Sequence, residues 1–266
     1  MKRSSLKLFL TTTIIFGGTL FIMNAGMACE KESETTPNVT GDIIEPSDTL
    51  HYSIAESGDT IMLAVDPALR SGRLTERDYI EVAEELGIEV ATIKAVVDIE
   101  AGQDHKGFWA EGKPIINFDL SVFRKMAKRN GVNLAHAAKT HPVIFASPNT
   151  KKYGSYQAAQ QARLDAAREV DNKTAIEGTF WGMFQIGGSH WKLFDFQSPD
   201  EFVEMMSRSE RDQLELFATF ITKSGMLPAL KTKNWAAFAR KYNGAGYARK
   251  GYHKRMAKAY AKYSKN

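Results

Sequence analysis

The chain has 266 residues, of which 43% are apolar and 25% charged, with one Cys and 8 Pro. These values exclude a collagen, a low-complexity polymer and a disulfide scaffold, and they suit one large domain or two small ones. The formal charge of +4 arises from 35 basic and 31 acidic residues and is unevenly spread along the chain.

Lys2, Arg3 and Lys7 form a positive start, followed by an apolar stretch from Leu8 to about Met23 and then small residues up to Ala28. That order predicts a secretory signal peptide over residues 1–28. Thr11, Thr12, Thr13, Gly17 and Gly18 interrupt the apolar stretch. This makes it a marginal match to the ~20 residues of a membrane span, so an uncleaved anchor is the alternative. Cys29, the lone cysteine, follows Gly26-Met27-Ala28 and has no internal disulfide partner. The segment resembles a bacterial lipobox, with Gly26 where that motif usually carries Leu. The resemblance implies export and a lipid anchor on Cys29, on the periplasmic face of a membrane or at the cell surface. Plain secretion is the alternative.

Residues 29–48 are acidic, polar and Pro-containing, which predicts a flexible tether. Residues 49–73 carry short apolar clusters such as Ile61-Met62-Leu63 and leave their structure open. From Leu74 onward the pattern is mostly helical. Thr75 to Asp78 reads as a capping box, and Tyr79, Val82, Ala83 and Leu86 stripe a helix that ends at Gly87. A second helix is predicted from about Glu89 to Glu100. Pro114 to Asp119 reads as a short strand after a Glu111-Gly112 turn. A helix is expected over 121–129, a long loop over 139–154 and an Ala- and Gln-rich helix from Ser155 to about Val170. Ser198-Pro199-Asp200-Glu201 is a strong helix start. Leu214, Phe217 and Ile221 stripe the next helix, and Trp235, Phe238, Ala239 and Tyr242 a further one ending at Asn243-Gly244. The last helix carries Met256, Tyr260 and Tyr263. Residues 223–266 hold twelve Lys or Arg and no acid. Such a stretch is either a solvated helix face or a surface for an anionic polymer such as wall glycan, a teichoic-type polymer, lipopolysaccharide or a membrane.

Glu100 is the first residue to carry chemistry. It falls at i+7 from Ile93, i+4 from Val96 and i+3 from Val97, on the buried side of its helix. A carboxyl held against aliphatic side chains loses hydration, which raises its pKa and suits a general acid. Sugar hydrolysis usually adds a second carboxylate, and Asp119, Asp104 and Glu177 are all candidates on spacing. In Thr179 to Gly188, aromatics flank glycines around Gln185. Glycines allow close approach of backbone to a ligand, aromatic faces stack on sugars, and an amide bonds hydroxyl or acetamido groups. The same segment also reads as a packed core turn. Tyr242 to Tyr247 is a second such cluster, or simply a helix end. The chain lacks HExxH, a CxxC pair, a phosphate loop and Ser or Cys nucleophile motifs.

Several ordered segments resemble the N-acetylmuramidase domain of phage endolysins and bacterial cell-wall enzymes. They are Val96 to Gly102, Gly107-Phe108, Gly112 to Asp119, Tyr153-Gly154, Arg163-Leu164, Phe180 to Ile186, Asn234 to Arg240 and Tyr242 to Gly244. The likeness spans about residues 74–263. It implies a mainly α, lysozyme-like single domain (residues 74–266) with a short β segment near the active site. It also implies cleavage of the β-1,4 bond between N-acetylmuramic acid and N-acetylglucosamine in peptidoglycan glycan strands. Glu100 matches the family's proton donor. Asp119 stands where the family usually has Glu, and Ser121 where it has His. Under this resemblance Asp119 stabilises the transition state or activates water, and Trp181, Gln185, Tyr242 and Asn243 line the glycan groove. No metal, organic cofactor or nucleic acid is implied, and an inhibitor or immunity partner is left open. The competing readings are a lytic transglycosylase giving 1,6-anhydro products and a peptidoglycan-binding lipoprotein without catalysis.

Overall fold

The computed structural model describes residues 52–54, 60–62, 73–101 and 106–265. The signal peptide, Cys29, the tether, Asp104 and most of 49–73 lie outside the described residues. Within 49–73, β1 (Tyr52–Ile54) pairs antiparallel with β2 (Thr60–Met62), Ser53 opposite Ile61. This hairpin belongs to a separate compact unit from the main body.

The main body is mostly helical. The Thr75 capping box opens α1 (Glu76–Leu86): Asp78 N–H bonds the Thr75 hydroxyl and the Thr75 N–H bonds the Asp78 carboxylate at 2.7 Å. Gly87, at φ 59°, ends the helix in the left-handed region that glycine tolerates best. Next, α2 (Val90–Glu100) buries Ile93, Ala95, Val96 and Val97. A small hairpin follows, β3 (Phe108–Ala110) with β4 (Lys113–Pro114), turned at Glu111-Gly112.

The single strand expected over 114–119 is divided between two sheets. Lys113–Pro114 pairs with β3, while β5 (Ile116–Phe118) pairs with β6 (Thr179–Trp181), and β7 (Ile186–Gly187) completes a three-stranded sheet in the order β5-β6-β7. Asp119 is therefore not the end of a strand but the N-cap of α3 (Leu120–Asn130). The loop expected over 139–154 is also more ordered than its sequence suggests. It holds the end of α4 (Leu134–Thr140), a 3-10 turn at Pro142–Ile144 and α5 (Thr150–Tyr153). Asn133 and Asn149 cap the two short helices, which are too brief to show a helical period.

Next come α6 (Tyr156–Val170) and α7 (Asn172–Glu177), then β6 and β7, a 3-10 segment (Gly188–Phe194) and α8 (Pro199–Arg208). The central helix is α9 (Glu210–Lys223), where even Glu210, Arg211, Asp212 and Gln213 are buried. Arg211 joins it to α1, donating to the Asp78 carbonyl at 2.8 Å and pairing with Glu81, Glu85 and Glu215. The chain closes with α10 (Leu227–Lys231), α11 (Trp235–Asn243), a 3-10 turn and α12 (Tyr252–Tyr263). α12 packs along α2, so the end of the chain covers the helix that carries Glu100.

Candidate active site

Glu100 is the last residue of α2. Its Oε1 accepts a 2.8 Å hydrogen bond from Asn243 Nδ2, at the last residue of α11. Part of the residue stays open to solvent, yet protein surrounds the carboxyl closely. Burial is the largest influence on its ionisation and pushes its pKa up to about 7. The Asn243 bond and the charge of Arg255 pull the other way, more weakly. A carboxyl poised near neutrality can both hold and release a proton.

Tyr242 is wedged in aromatic surroundings, stacked on Phe238 at 5.7 Å and edge-on to Phe217 at 5.6 Å. Its hydroxyl donates to the Phe184 carbonyl at 2.7 Å. Burial, helped by the nearby Glu100 charge, raises its pKa well above the usual tyrosine value. Tyr252 is raised as well, by burial first and Glu100 second. Glu100 thus sits where α2, the end of α11 and the start of α12 converge. The Tyr242 hydroxyl links this junction to the turn between β6 and β7.

That turn runs from Gly182 to Gln185. Gln185 takes φ 49°, in the left-handed region that side chains rarely adopt, and its Nε2 donates to the Gly182 carbonyl at 2.8 Å. Strained backbone of this kind persists where the surrounding structure enforces it. The enforcing residue is Gln213, fully buried on α9. Its Oε1 accepts from Met183 N–H at 2.8 Å, and its Nε2 donates to the carbonyls of Gly107 at 3.2 Å and Met206 at 2.9 Å. Glu210, one turn earlier, accepts from Gly107 N–H at 2.8 Å. A Cβ at Gly107 or Gly182 would lie 2.6 or 2.8 Å from Gln213 Oε1. At Gly182 the close approach is made by Gln213, in keeping with the core-turn reading of this segment.

The structure thus brings together Glu100, Tyr242, Asn243 and the turn carrying Gln185. It places Trp181 elsewhere. Trp181 was expected on the glycan groove, but only 3% of it is exposed. Its Nε1 donates to the Ile176 carbonyl at 3.2 Å, and its ring stands edge-on to Phe202. β6 is the middle strand of its sheet, and a Trp there packs into the core. Asp119 Oδ1 accepts from Ser121 and Val122 N–H at 2.8 and 2.9 Å, capping α3, and its charge acts on Arg163. Glu177 is fully buried and bonded to Arg129, Asn130 and Trp191, which suits a structural acid. Sequence reasoning missed Gln213 and Glu210, which read as ordinary polar helix residues, and Tyr252 with Arg255. The Tyr252-x-x-Arg255 spacing on the last helix was the available signal.

Asn243 offers a direct check on these influences. Asn243→Ala removes a bond to the charged form of Glu100, so the alkaline limb of any Glu100-dependent activity is expected to move to higher pH. Lost positioning is expected to lower the rate about tenfold. A pH–rate profile of the variant reads both.

A mostly helical body around a small sheet, with the Glu100 carboxyl at the end of α2, is the arrangement of a lysozyme-like fold. Comparison with known proteins agrees. The N-acetylmuramidase family profile matches residues 89–264. The crystal structure of the Burkholderia AP3 phage endolysin is similar, with a TM-score of 0.63, 33% identity, and 74% of this chain and 72% of that chain covered. Among curated proteins there is no significant match. The chain belongs to the N-acetylmuramidase family, and it is a peptidoglycan-cleaving hydrolase.

Proposed function

We propose that the protein cleaves the β-1,4 bond between N-acetylmuramic acid and N-acetylglucosamine, with Glu100 as the general acid. The observation that carries this is the Glu100 carboxyl, raised to about 7 by burial at the junction of three helices. It protonates the glycosidic oxygen as the bond breaks. Asn243 aims it, and Gln185 and the neighbouring turn contact the glycan. In this reading the Asp119 carboxylate stabilises the oxocarbenium-like transition state or activates water. Mass spectrometry of the ends released from purified peptidoglycan tests the reading. Reducing N-acetylmuramic acid ends support it, and reducing N-acetylglucosamine ends would overturn it.

One observation favours a second reading. Asp119 commits one oxygen to capping α3, and a single acid suffices for a lytic transglycosylase. There the substrate's own C6 hydroxyl attacks in place of water. Its 1,6-anhydro products are one water lighter, so the same spectrum separates the two reactions.

The pattern of residues 1–29 supports a reading of export and attachment. We propose that Cys29 carries the lipid that holds the enzyme at a bacterial membrane. Cys29→Ser is expected to shift the protein from the detergent phase to the aqueous phase on phase separation. A wild-type protein already in the aqueous phase would rule the anchor out.

A further inference from the structure

Arg255 plays no part in the reaction as written, yet its charge reaches the candidate acid. It is the fourth residue of α12, three after Tyr252 and on the same side of the helix. Its guanidinium carbon is 4.7 Å from the centroid of the Tyr252 ring. Tyr252 is 4% exposed and opens α12, which packs along α2, so the ring is a fixed platform for Arg255 on the helix that covers the Glu100 helix. Arg255 also bonds the Tyr252 hydroxyl, and a guanidinium with five N–H donors keeps others for an anion. Arg255 is exposed, as are Arg249, Lys250 and Lys254 nearby in the chain.

A cation in this position works against the proposed chemistry. It draws Glu100 toward the ionised form, and an ionised carboxylate has no proton to give. The arrangement makes sense if an anion arrives with the substrate and offsets that pull. Peptidoglycan supplies one: muramic acid carries a lactyl arm that ends in a carboxylate or continues into a peptide bearing carboxylates.

We propose that Arg255 is a specificity-determining residue that binds a carboxylate on the lactyl side of muramic acid while Glu100 acts on the adjacent glycosidic bond. The proposal rests on reading Glu100 as the acid that acts on peptidoglycan glycan. An arginine–carboxylate pair is charge-assisted and directional, and it distinguishes a muramyl sugar from one without the arm.

The test uses wild type, Arg255→Gln and Arg255→Lys on three substrates: intact sacculi, glycan strands stripped of peptide, and sacculi whose carboxylates are converted to amides. Assays run at a pH above the ordinary carboxylate range and below that of Glu100. On intact sacculi or stripped strands, Arg255→Gln is expected to raise KM about tenfold with little change in kcat, and Arg255→Lys to recover part of the loss. On amidated sacculi the wild-type to variant ratio is expected to fall to near one. A loss confined to intact sacculi assigns the carboxylate to the peptide, a loss confined to stripped strands, where the arm ends in a free carboxylate, assigns it to the lactyl arm, and a loss on both shows that Arg255 takes either. An equal loss on all three substrates, or no loss on any, would overturn the proposal. Matching thermal unfolding of the three proteins guards against a folding defect. If Glu100→Gln cuts intact sacculi as well as wild type, the underlying reading fails instead, so the two failures are distinguishable.

Discussion

Glu100→Gln is expected to reduce cleavage of purified sacculi by about a thousandfold, within the range that a general acid contributes. The amide keeps an oxygen for the Asn243 bond and holds no transferable proton. Wild-type activity is expected to fall as pH rises through about 7, because the donor ionises there. Burial raises the carboxyl against the Asn243 bond and the Arg255 charge, and that balance sets the limb. Stability is expected to move with the same proton. The folded value of about 7 lies above the ordinary 4.5, so the protonated carboxyl's contribution is complete below 4.5 and is lost as pH rises through 7. The full difference is up to about 3 kcal/mol. Glu100→Gln abolishes this dependence, and its stability relative to wild type should rise over that interval. Urea unfolding of both proteins across the interval checks it. A wild-type profile with no such slope would mean that Glu100 is not buried as described.

Gln213→Leu is expected to be the most damaging substitution outside Glu100. Leucine fills much the same space but leaves Met183 N–H and the carbonyls of Gly107 and Met206 without their partner. Unpaired buried polar groups make this cost about 3–5 kcal/mol, read as a lower urea midpoint. Activity should fall as well, in the fraction that still folds. Gln213 joins the chain emerging from the Glu100 region, at Gly107, to the turn whose Phe184 carbonyl receives Tyr242. Loosening that link lets the Gln185 turn drift from the acid, and a displacement on the order of 1 Å is enough to cost catalysis. A variant with wild-type stability would show that Gln213 is not the tie between the two segments.

Most of the helices were legible because their signals are local. The capping box at Thr75, Ser198 before Pro199 and Ser155 before α6 all act within three or four residues. The stripe of Ile93, Val96 and Val97 places Glu100 on the buried side of α2, and the structure buries those three residues. The candidate acid and the buried face of its helix were therefore legible without a fold. Trp181 could not be placed the same way. An aromatic beside glycine looks alike whether it meets a sugar or a core, and only the position of β6 between β5 and β7 decides.

The sequence by itself determined the helical class, the candidate acid and the aromatic-glycine segments around it, since propensity, capping and period depend on near neighbours. The tertiary structure alone decided what those segments touch. Gln213 reaches Gly107 across 106 residues, and Asn243 reaches Glu100 across 143. No local pattern encodes such pairings, because a polar side chain is solvated or buried according to what distant chain packs over it. The rise of Glu100 toward neutrality has the same origin: α2 supplies the carboxyl, and α11 and α12 close around it.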